Sequence, residues 1–493
     1  MGPFAGELIV ARRGTVTLNV NACWIDALAL LEPTWPADKG FANLCRGELL
    51  EGLDGISTSF DRWLAAQRIR AAERLRTLAS GAIRSPVQRA HAMPTQQPQP
   101  QPPLPGRNRL RVAVLPFMAR GDREEALAFS LSHHIGAALA RFRWFDVISS
   151  VHAAVLSSDA LLRRELDYAV DGTVSRHGRQ VAINIRLLDL ARATQPVWSE
   201  RFELKASDLH RLDELVTPRV VASIDPVILF IEGQPKRRAH YGANGLLLLA
   251  LPLFYSMERS KFERAGELIK RAVALDPKSA MALAWSAFWQ ITRCAHGWQS
   301  FDASMSEVEA ASRAAIDLDR ENAEALAIYA HTCAWKKNLD RAVDFFDRAL
   351  RLNPNLAFAW WLSAATYCYI GDPNEALRRL TRSRELAPLD PNSTFYENIY
   401  SIAYILKGDY EQAALIGRNA VKLNPNFPAA YKPLIAALGH LGRAEEAKPY
   451  IARLLALEPN FTVEGFDKVY PIKNAKDRER YMKGLRLAGV PER

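Results

Sequence analysis

Few side chains in this sequence have the types and spacing that catalysis or metal binding requires. His133 and His134 are adjacent, and neighbouring residues of a helix point in different directions, so we interpret them as surface or half-buried histidines. The P-loop, GxGxxG, HExxH, CxxC and GxSxG motifs are absent from the sequence. We therefore predict a protein that is not an enzyme, with no catalytic residue, cofactor or metal. The widely spaced cysteines are Cys23, Cys45, Cys294, Cys333 and Cys368.

Basic side chains are frequent near residue 70, where apolar residues at helical spacing would face a core. Lys and Arg number 64 against 54 Asp and Glu, which gives a net charge of +10. A basic stripe could contact DNA phosphates. The alternative, a solvated face of a helical hairpin, is favoured because no recognition helix accompanies the stripe. DNA binding through this chain would therefore be weak. The candidate phosphate contacts are Arg62, Arg68, Arg70, Arg74 and Arg76.

The composition indicates a folded chain of several domains. Apolar residues make up 49% and charged residues 24% of the 493 residues, as in ordinary globular proteins. The most apolar run, Leu246 to Tyr255, contains Pro252 and is too short to span a bilayer. The odd number of dispersed cysteines suits a reducing compartment. We expect a cytoplasmic location and no membrane span.

A linker divides the sequence, and α and β patterns follow it. Residues 93–109, rich in Pro and Gln, favour an extended spacer. Beyond it, strand and helix patterns predict the order β-α-β-α-β-β-β-α for residues 109–232, a small α+β domain. The second helix is predicted over residues 153–166, and the last over about 206–231. Gly178 between two strand patterns predicts a hairpin turn with positive φ.

The last part of the chain repeats itself. Motifs such as LDPKS and LNPNF end successive apolar helices. The first residues of these motifs are Leu275, Leu318, Leu352, Leu386, Leu423 and Leu457. The offsets of 43, 34, 34, 37 and 34 residues include three that match the tetratricopeptide period, and Gly371, Gly408 and Gly442 fall at its turn position. We predict an all-α tetratricopeptide solenoid over residues 240–470. Arg320, where the repeat has proline, marks a departure from the pattern.

The N-terminal part resembles the bacterial transcriptional activator domain (BTAD) of SARP-like regulators. The residues that carry this resemblance are Arg46, Gly47, Glu48, Leu49, Leu50, Trp63, Leu64, Arg68 and Leu75. In that family the domain follows an OmpR-type winged helix, and ELIVARRGTVTLN here would correspond to the closing hairpin of that winged helix. The resemblance implies a regulator that lacks most of its winged helix. Whether Met1 is the natural start is left open.

Residues 109–232 resemble the TolB-like α/β domain that accompanies tetratricopeptide repeats in proteobacterial regulators and in some class III adenylate cyclases. VAVLPF at Val112 to Phe117, DGTVSRHGRQVAINIRLLD at Asp171 to Asp189 and VWSERFEL at Val197 to Leu204 carry this resemblance. The family's loop after the first strand is replaced here by MARGDREE. The order of the three resemblances is typical of a regulator rather than of a cyclase.

The tetratricopeptide resemblance also implies a groove, because first helices of such repeats line a concave surface. The family's groove positions correspond to His331, Trp335, Trp361, Tyr369, Asn398 and Lys432. Aromatic rings exposed there would suit an extended or helical peptide. The alternative is that these rings pack against the neighbouring repeat. Lysines and asparagines do not recur as a full set that could grip a carboxylate.

These observations lead to one main hypothesis and two alternatives. The main hypothesis is a transcriptional-regulator-like protein in which a peptide-binding solenoid couples a protein partner to transcription. The alternatives are an interaction scaffold without a transcriptional role, and the regulatory half of a class III adenylate cyclase system. The predicted modules are the activator-like module at 1–85, the linker at 86–108, the α+β domain at 109–232, the solenoid at 240–470 and a tail at 471–493. The oligomeric state is not predicted.

Overall fold

The structure is a computed structural model, and it describes residues 9–12, 15–18, 109–120, 122–149, 166–190, 195–234, 242–388, 390 and 392–493. The chain divides into two compact units, Met1–Gln101 and Pro102–Arg493. The activator-like module apart from its first hairpin, the linker and the predicted helix at 153–166 up to residue 165 lie outside the described residues.

In the first unit, β1 (Ile9–Arg12) and β2 (Thr15–Leu18) form an antiparallel hairpin in which Ile9 pairs with Leu18. This hairpin falls within the stretch ELIVARRGTVTLN. Its assignment to a winged helix stays a prediction.

The second unit begins with a small mixed sheet. Its strands are β3 (Leu110–Val114), β4 (Met118–Arg120), β5 (Phe145–Ile148), β6 (Tyr168–His177), β7 (Gln180–Asp189) and β8 (Gln195–Lys205). The order is β5-β3-β6-β7-β8, with β4 paired parallel to β6. Strand β3 is parallel to both neighbours, whereas β6, β7 and β8 are antiparallel. The largely buried β3 and the alternating burial of β7 fit these positions.

Helix α1 (Asp122–Leu139) packs on this sheet together with α3 (Thr217–Glu232). The predicted turn is confirmed, since Gly178 has a φ of 62°. Strand β4 was not predicted, because its three residues are too few to show a strand pattern. The single helix predicted over 206–231 is divided into a 3₁₀ turn (Ala206–Arg211), α2 (Leu212–Leu215) and α3. The division has a physical reason, because Pro218 cannot donate to a preceding turn and favours a helix start.

The rest of the unit is a helical solenoid of antiparallel pairs. Its helices are α4 (Ala243–Tyr255), α5 (Arg259–Leu275), α6 (Ala280–Ala295), α7 (Phe301–Leu318), α8 (Ala323–Trp335), α9 (Leu339–Leu352), α10 (Ala357–Ile370), α11 (Pro373–Leu386), α12 (Thr394–Lys407), α13 (Tyr410–Leu423), α14 (Pro428–His440) and α15 (Ala444–Leu457). Each of the six motif leucines is the last residue of the second helix of a pair. The repeat length read from these leucines is therefore confirmed.

Turn residues within the pairs also follow the sequence pattern. Gly371, Gly408 and Gly442 have φ values of 96°, 80° and 70°, which favour glycine. Lys337 takes the equivalent turn of another pair with a φ of 61°. The first helices of successive pairs pack against one another, so their side chains share one surface.

The sheet region and the solenoid share one contiguous core. Trp144 Nε1 donates to Glu324 Oε2 at 2.9 Å, and Arg143 Nε lies 2.9 Å from Asp319 Oδ2. Helix α3 packs against α4 and α11. The sheet is thereby fixed to the second unit's repeats.

The C-terminal residues add two further helices, α16 (Val463–Val469) and α17 (Ala475–Ala488). Helix α17 packs on α14 at a close glycine contact. A Cβ added at Gly439 would lie 2.0 Å from the carbonyl oxygen of Gly484. Both positions therefore require glycine for the helices to approach this closely.

Candidate peptide groove of the solenoid

The first helices of the repeats surround a cavity of about 100 Å³, and we call the surface around it the groove. All six residues that the sequence analysis assigned to a groove border this cavity. They are His331 and Trp335 on α8, Trp361 and Tyr369 on α10, Asn398 on α12 and Lys432 on α14. The structure thus brings together side chains up to a hundred residues apart in the sequence.

The groove aromatics are not open to solvent as the sequence analysis expected. Trp335 is 5% and Tyr369 is 4% exposed. Part of this burial comes from neighbouring repeats, since the Trp361 ring lies 5.8 Å from that of Phe395. Of the two alternatives left open for these rings, solvent exposure and packing between repeats, packing between repeats describes part of the site.

The rest of the burial comes from the C-terminal residues 461–493, which we call the C-terminal segment. The Tyr470 ring lies 6.1 Å from that of Trp335 and 5.4 Å from that of Tyr369. The backbone N–H of Lys473 donates to the carbonyl oxygen of Tyr369 at 2.8 Å. Lys337 Nζ donates to the carbonyl oxygen of Lys468 at 3.2 Å. The groove thus holds a piece of its own chain through both backbone and side-chain contacts.

The segment is folded back on itself as it crosses the groove. The backbone N–H groups of Val463 and Glu464 donate to the carbonyl oxygens of Pro491 and Glu492, at 2.9 and 3.0 Å. Residues 470–474 between α16 and α17 are not helical. This stretch supplies Tyr470, and its backbone remains available for pairing with the groove.

Lys432 is held by an internal ion pair. Its Nζ lies 3.0 Å from Glu458 Oε2 and sits near the rings of Phe461 and Phe466, at 5.0 and 5.1 Å. Nδ1 of His296 lies 3.2 Å from the other oxygen of Glu458, and burial lowers the pKa of His296. A neutral His296 therefore donates to the carboxylate while Lys432 neutralises its charge. These groups leave Lys432 committed to its own chain.

Two polar atoms of the groove remain without partners. Trp335 Nε1 donates to His331 Nε2 at 3.0 Å, so in the neutral ring Nδ1 carries the hydrogen. Burial lowers the pKa of His331 to about 3, which keeps the ring neutral. Within the described part of the chain, neither His331 Nδ1 nor Asn398 Oδ1 has a hydrogen-bond partner. Asn398 is 8% exposed, so the groove contains one buried donor and one buried acceptor.

Sequence reasoning missed the residues that complete this site. His296 and Glu458 lie outside the repeat's groove positions, and the closing aromatics Phe466 and Tyr470 follow the last repeat. The one available signal was the density of aromatic residues after residue 460. The five arginines proposed as phosphate contacts lie outside the described residues.

The described residues contain no group of three or more His, Cys, Asp and Glu side chains placed to hold a metal ion. Across the same ranges, none of the helices combines the length and the apolar character needed to cross a bilayer. Cys294, Cys333 and Cys368 are buried free thiols, and burial raises their pKa values.

Comparison with known families identifies the repeat. The tetratricopeptide repeat model matches residues 323–356, which span α8 and α9. The chain contains tetratricopeptide repeats. It is also 25% identical over 272 residues to "Putative adenylate cyclase 3" of Rhizobium meliloti (strain 1021). That similarity covers 52% of this chain and 46% of the relative, so the chain spans about half the relative's length.

The chain is also similar to parts of several solved structures. YrrB, described as a TPR protein with an unusual peptide-binding site, shares 17% identity over 40% of this chain and 94% of its own, with a TM-score of 0.26. PilW, a type IV pilus biogenesis factor, shares 19% identity over 44% and 94%, with a TM-score of 0.32. PilF of Pseudomonas aeruginosa shares 18% identity over 44% and 93%, with a TM-score of 0.30.

Proposed function

We propose that this chain is a protein-interaction scaffold whose groove binds a polypeptide segment of a partner. One observation supports this most directly: the groove already accommodates the chain's own C-terminal segment, with Tyr470 packed against both Trp335 and Tyr369 and a backbone hydrogen bond from Lys473. A surface that packs one non-helical segment by ring contacts and backbone pairing has the chemistry to bind another.

The unpaired atoms of the groove indicate what the partner segment contributes. His331 Nδ1 offers a hydrogen and Asn398 Oδ1 offers an acceptor, and a peptide backbone supplies the matching acceptor and donor. The aromatic walls favour an aromatic or large apolar side chain beside that peptide group. We therefore expect the partner to present a short extended motif that contains an aromatic residue. A free carboxylate is not expected, because Glu458 neutralises Lys432.

The C-terminal segment would compete with such a partner. An attached segment acts at an effective concentration on the order of millimolar, so a free peptide binds poorly until the segment leaves. Weakening the segment without touching the groove should therefore increase partner affinity.

A binding experiment with a synthetic peptide of residues 461–493 tests this proposal. The chain with Tyr470→Ala and Ile472→Ala should bind the labelled peptide in trans, while the unmodified chain binds it at least tenfold more weakly, as measured by fluorescence anisotropy. The matched control is the same peptide with Tyr470→Ala, which should lose most of the affinity. Peptides selected from a random library on the loosened chain should compete with the 461–493 peptide. Selected peptides that bind without competition would contradict the groove assignment.

A finer proposal connects the scaffold to transcription control. It is supported by the resemblance of the N-terminal module to SARP-like regulators. The expected result is binding to a promoter fragment that weakens steeply with added salt, since phosphate contacts release counterions. Anisotropy of labelled DNA at several salt concentrations measures it. Absence of binding at low salt would reject a direct DNA role and leave the scaffold proposal intact.

A second candidate, the regulatory half of an adenylate cyclase system, is supported by the partial similarity to the Rhizobium meliloti relative. In this case the chain would change the activity of a cyclase without producing cyclic AMP itself. Cyclic AMP measured with a purified cyclase, with and without this chain, tests the idea. Equal rates in both conditions would reject it.

A further inference from the structure

A second cavity, of about 80 Å³, lies where helix α3 of the sheet region meets the solenoid, and we call it the junction cavity. It is separate from most of the groove, although Trp361 borders both. Aromatic, aliphatic and acidic side chains line its walls. The aromatic residues are Trp144, Phe230, Tyr255, Trp285, Phe358 and Trp361, and the acidic residues are Asp225, Glu324 and Asp390.

The three carboxyl groups come from three separate elements. Asp225 lies on α3, Glu324 lies in the first turn of α8, and Asp390 lies between α11 and α12. Their charges influence one another, since Glu324 and Asp390 both act on Asp225. Throughout the described ranges, no lysine or arginine forms an ion pair with any of the three. Three acidic side chains therefore meet here, and none of them has a counterion among the described residues.

Two of the carboxyl groups are held by the protein, and one is not. Glu324 accepts hydrogen bonds from the indole N–H groups of Trp144 and Trp285, at 2.9 and 2.8 Å. Asp390 accepts from the backbone N–H of Asn392 at 2.8 Å and from the Tyr396 hydroxyl. Asp225 Oδ1 is shielded from solvent, and no donor among the described residues reaches it. A buried carboxyl oxygen without a hydrogen-bond partner is costly, so this atom points to an absent partner.

The rings provide the second half of a cation site. Tyr255 and Phe358 flank Trp285, with ring centroids at 6.2 and 6.1 Å from its own. Aromatic faces attract cations, and most strongly where water is excluded. The cavity has room for about five water-sized groups, which corresponds to a guanidinium or ammonium head with its first methylene groups.

We propose that the junction cavity binds an organic cation that carries N–H donors, an alkylguanidinium or alkylammonium group. The cation donates to Asp225 Oδ1, its charge is neutralised by Asp225 together with Glu324 and Asp390, and its apolar stem packs against Phe358 and Trp361. The cation is either a free small molecule or the side chain of an arginine or lysine. Because the cavity joins the sheet region to the solenoid, occupancy strengthens that junction by mass action.

The state of the carboxyl groups is consistent with an empty cation site. The titratable groups that face the cavity are Asp225, Tyr255, Glu324 and Asp390. Burial raises the pKa of Glu324 to about 7 and that of Asp390 to about 6, and it raises the pKa of Asp225 well above its usual value. Near neutral pH the empty cavity therefore retains protons that a bound cation would displace.

Isothermal titration calorimetry on the full chain tests the proposal, with butylguanidinium as the first probe. Two controls separate the effect of the charge from that of the N–H donors. Butylurea keeps the shape and the donors but lacks the charge, and tetramethylammonium keeps the charge but lacks the donors. Butylguanidinium should bind at one site and more tightly than either control. Equal binding of tetramethylammonium would overturn the role of Asp225 as an acceptor. Absence of butylguanidinium binding would overturn the site.

Variants locate the binding. Asp225→Asn should weaken butylguanidinium binding at least about tenfold, because a charge-assisted hydrogen bond is lost. The matched control Asp340→Asn removes an exposed carboxylate in the first turn of α9 and should leave affinity unchanged. Phe358→Leu should weaken binding about threefold by removing one ring face. Melting curves of the three variants without ligand report folding. Equal affinity of Asp225→Asn and Asp340→Asn would place the probe elsewhere and contradict the proposal.

Two further measurements refine the result. Binding enthalpies in buffers of different ionisation enthalpy should reveal net proton release at pH 6.5, and Glu324→Gln should reduce it. Zero proton release would contradict neutralisation by these carboxyl groups. A glycine-rich peptide with one central arginine distinguishes the sources: if it binds as tightly as butylguanidinium the ligand is a partner's side chain, and if it is excluded the ligand is a free cation.

Discussion

The groove and the junction cavity are both lined by aromatic rings, yet they differ in how they treat buried charge. In the groove, Lys432, Glu458 and His296 satisfy one another, and the chain's own C-terminal segment covers them. In the junction cavity, Asp225, Glu324 and Asp390 face the same space without a cation from the described residues. In the groove, other residues of the chain compensate the buried charges. In the junction cavity, the carboxyl groups must instead bind protons or a ligand.

This difference has an energetic origin. Burying a charge costs several kcal/mol unless an opposite charge and hydrogen bonds compensate. In the groove the compensation comes from groups of the chain itself, so breaking the pair would leave an uncompensated buried charge. In the junction cavity, burial raises the pKa of the carboxyl groups. They therefore take up protons and lose their negative charge. We therefore predict that mutation of the groove's ion pair lowers the stability of the chain, and that the contribution of the junction cavity to stability changes with pH.

The largest effect is expected from Lys432→Met. This change leaves the carboxylate of Glu458 buried without its cation and should lower the free energy of unfolding by about 3 to 5 kcal/mol. Urea unfolding followed by circular dichroism measures it. The control is Lys448→Met, which breaks an exposed pair with Glu445 and should cost less than about 1 kcal/mol. Similar losses in both variants would contradict the compensated core of the groove.

Next in size is Tyr470→Ala. The ring packs against both Trp335 and Tyr369, so its removal should destabilise the C-terminal segment by about 3 kcal/mol. Hydrogen exchange should rise in residues 461–493 and stay unchanged in β6 to β8. Uniform exchange changes across the chain would mean that the segment does not unfold separately from the repeats.

The carboxyl groups of the junction cavity should make the free energy of unfolding depend on pH. Glu324 has a pKa of about 7 in the folded chain against about 4.3 when unfolded, so the folded state holds an extra proton between these values. The free energy of unfolding should therefore fall as pH rises from about 5 to 7, by about 2 kcal/mol from this group. Glu324→Gln cannot titrate and should show a smaller fall in urea unfolding at each pH. An unchanged slope would indicate that Glu324 is ionised throughout.

The smallest effect compares two turn glycines. Gly371→Ala and Gly408→Ala both place a side chain at positive φ, which costs about 1 kcal/mol. At Gly371 the added Cβ would also lie 2.8 Å from Asp477 Oδ2 on α17, whereas Gly408 has open space. Gly371→Ala should therefore destabilise the chain by roughly a further 0.5 to 1 kcal/mol in urea unfolding. Equal losses would show that Asp477 moves aside without cost.

Local sequence signals predicted a large part of the fold. All six repeat leucines end second helices, and five of them are followed two residues later by a proline, which cannot continue a helix. The turn glycines were predictable because glycine, which lacks a Cβ, tolerates a positive φ. They are Gly178, Gly371, Gly408 and Gly442. The resemblance to tetratricopeptide repeats then supplied the six groove positions, and all six of these residues border one cavity.

The burial and the ion-pair partners of those side chains could not be predicted in the same way. Lys432 had the position of a free groove residue, but its partner Glu458 ends the last repeat and its covering ring Phe461 follows it. No repeat pattern assigns a position to residues beyond the last motif. The short strand β4 was missed for a similar reason, since its pairing with β6 depends on a contact distant in sequence.

The sequence by itself determined the helices, their period, their turns and the residues that line the groove, because these depend on contacts within one repeat or between adjacent repeats. The tertiary structure alone decided what covers the groove and where the carboxyl groups of α3, α8 and residue 390 meet. Both outcomes result from chain segments that are far apart in sequence. Their burial is fixed by the packing of the whole unit and leaves no periodic signal in the residues themselves.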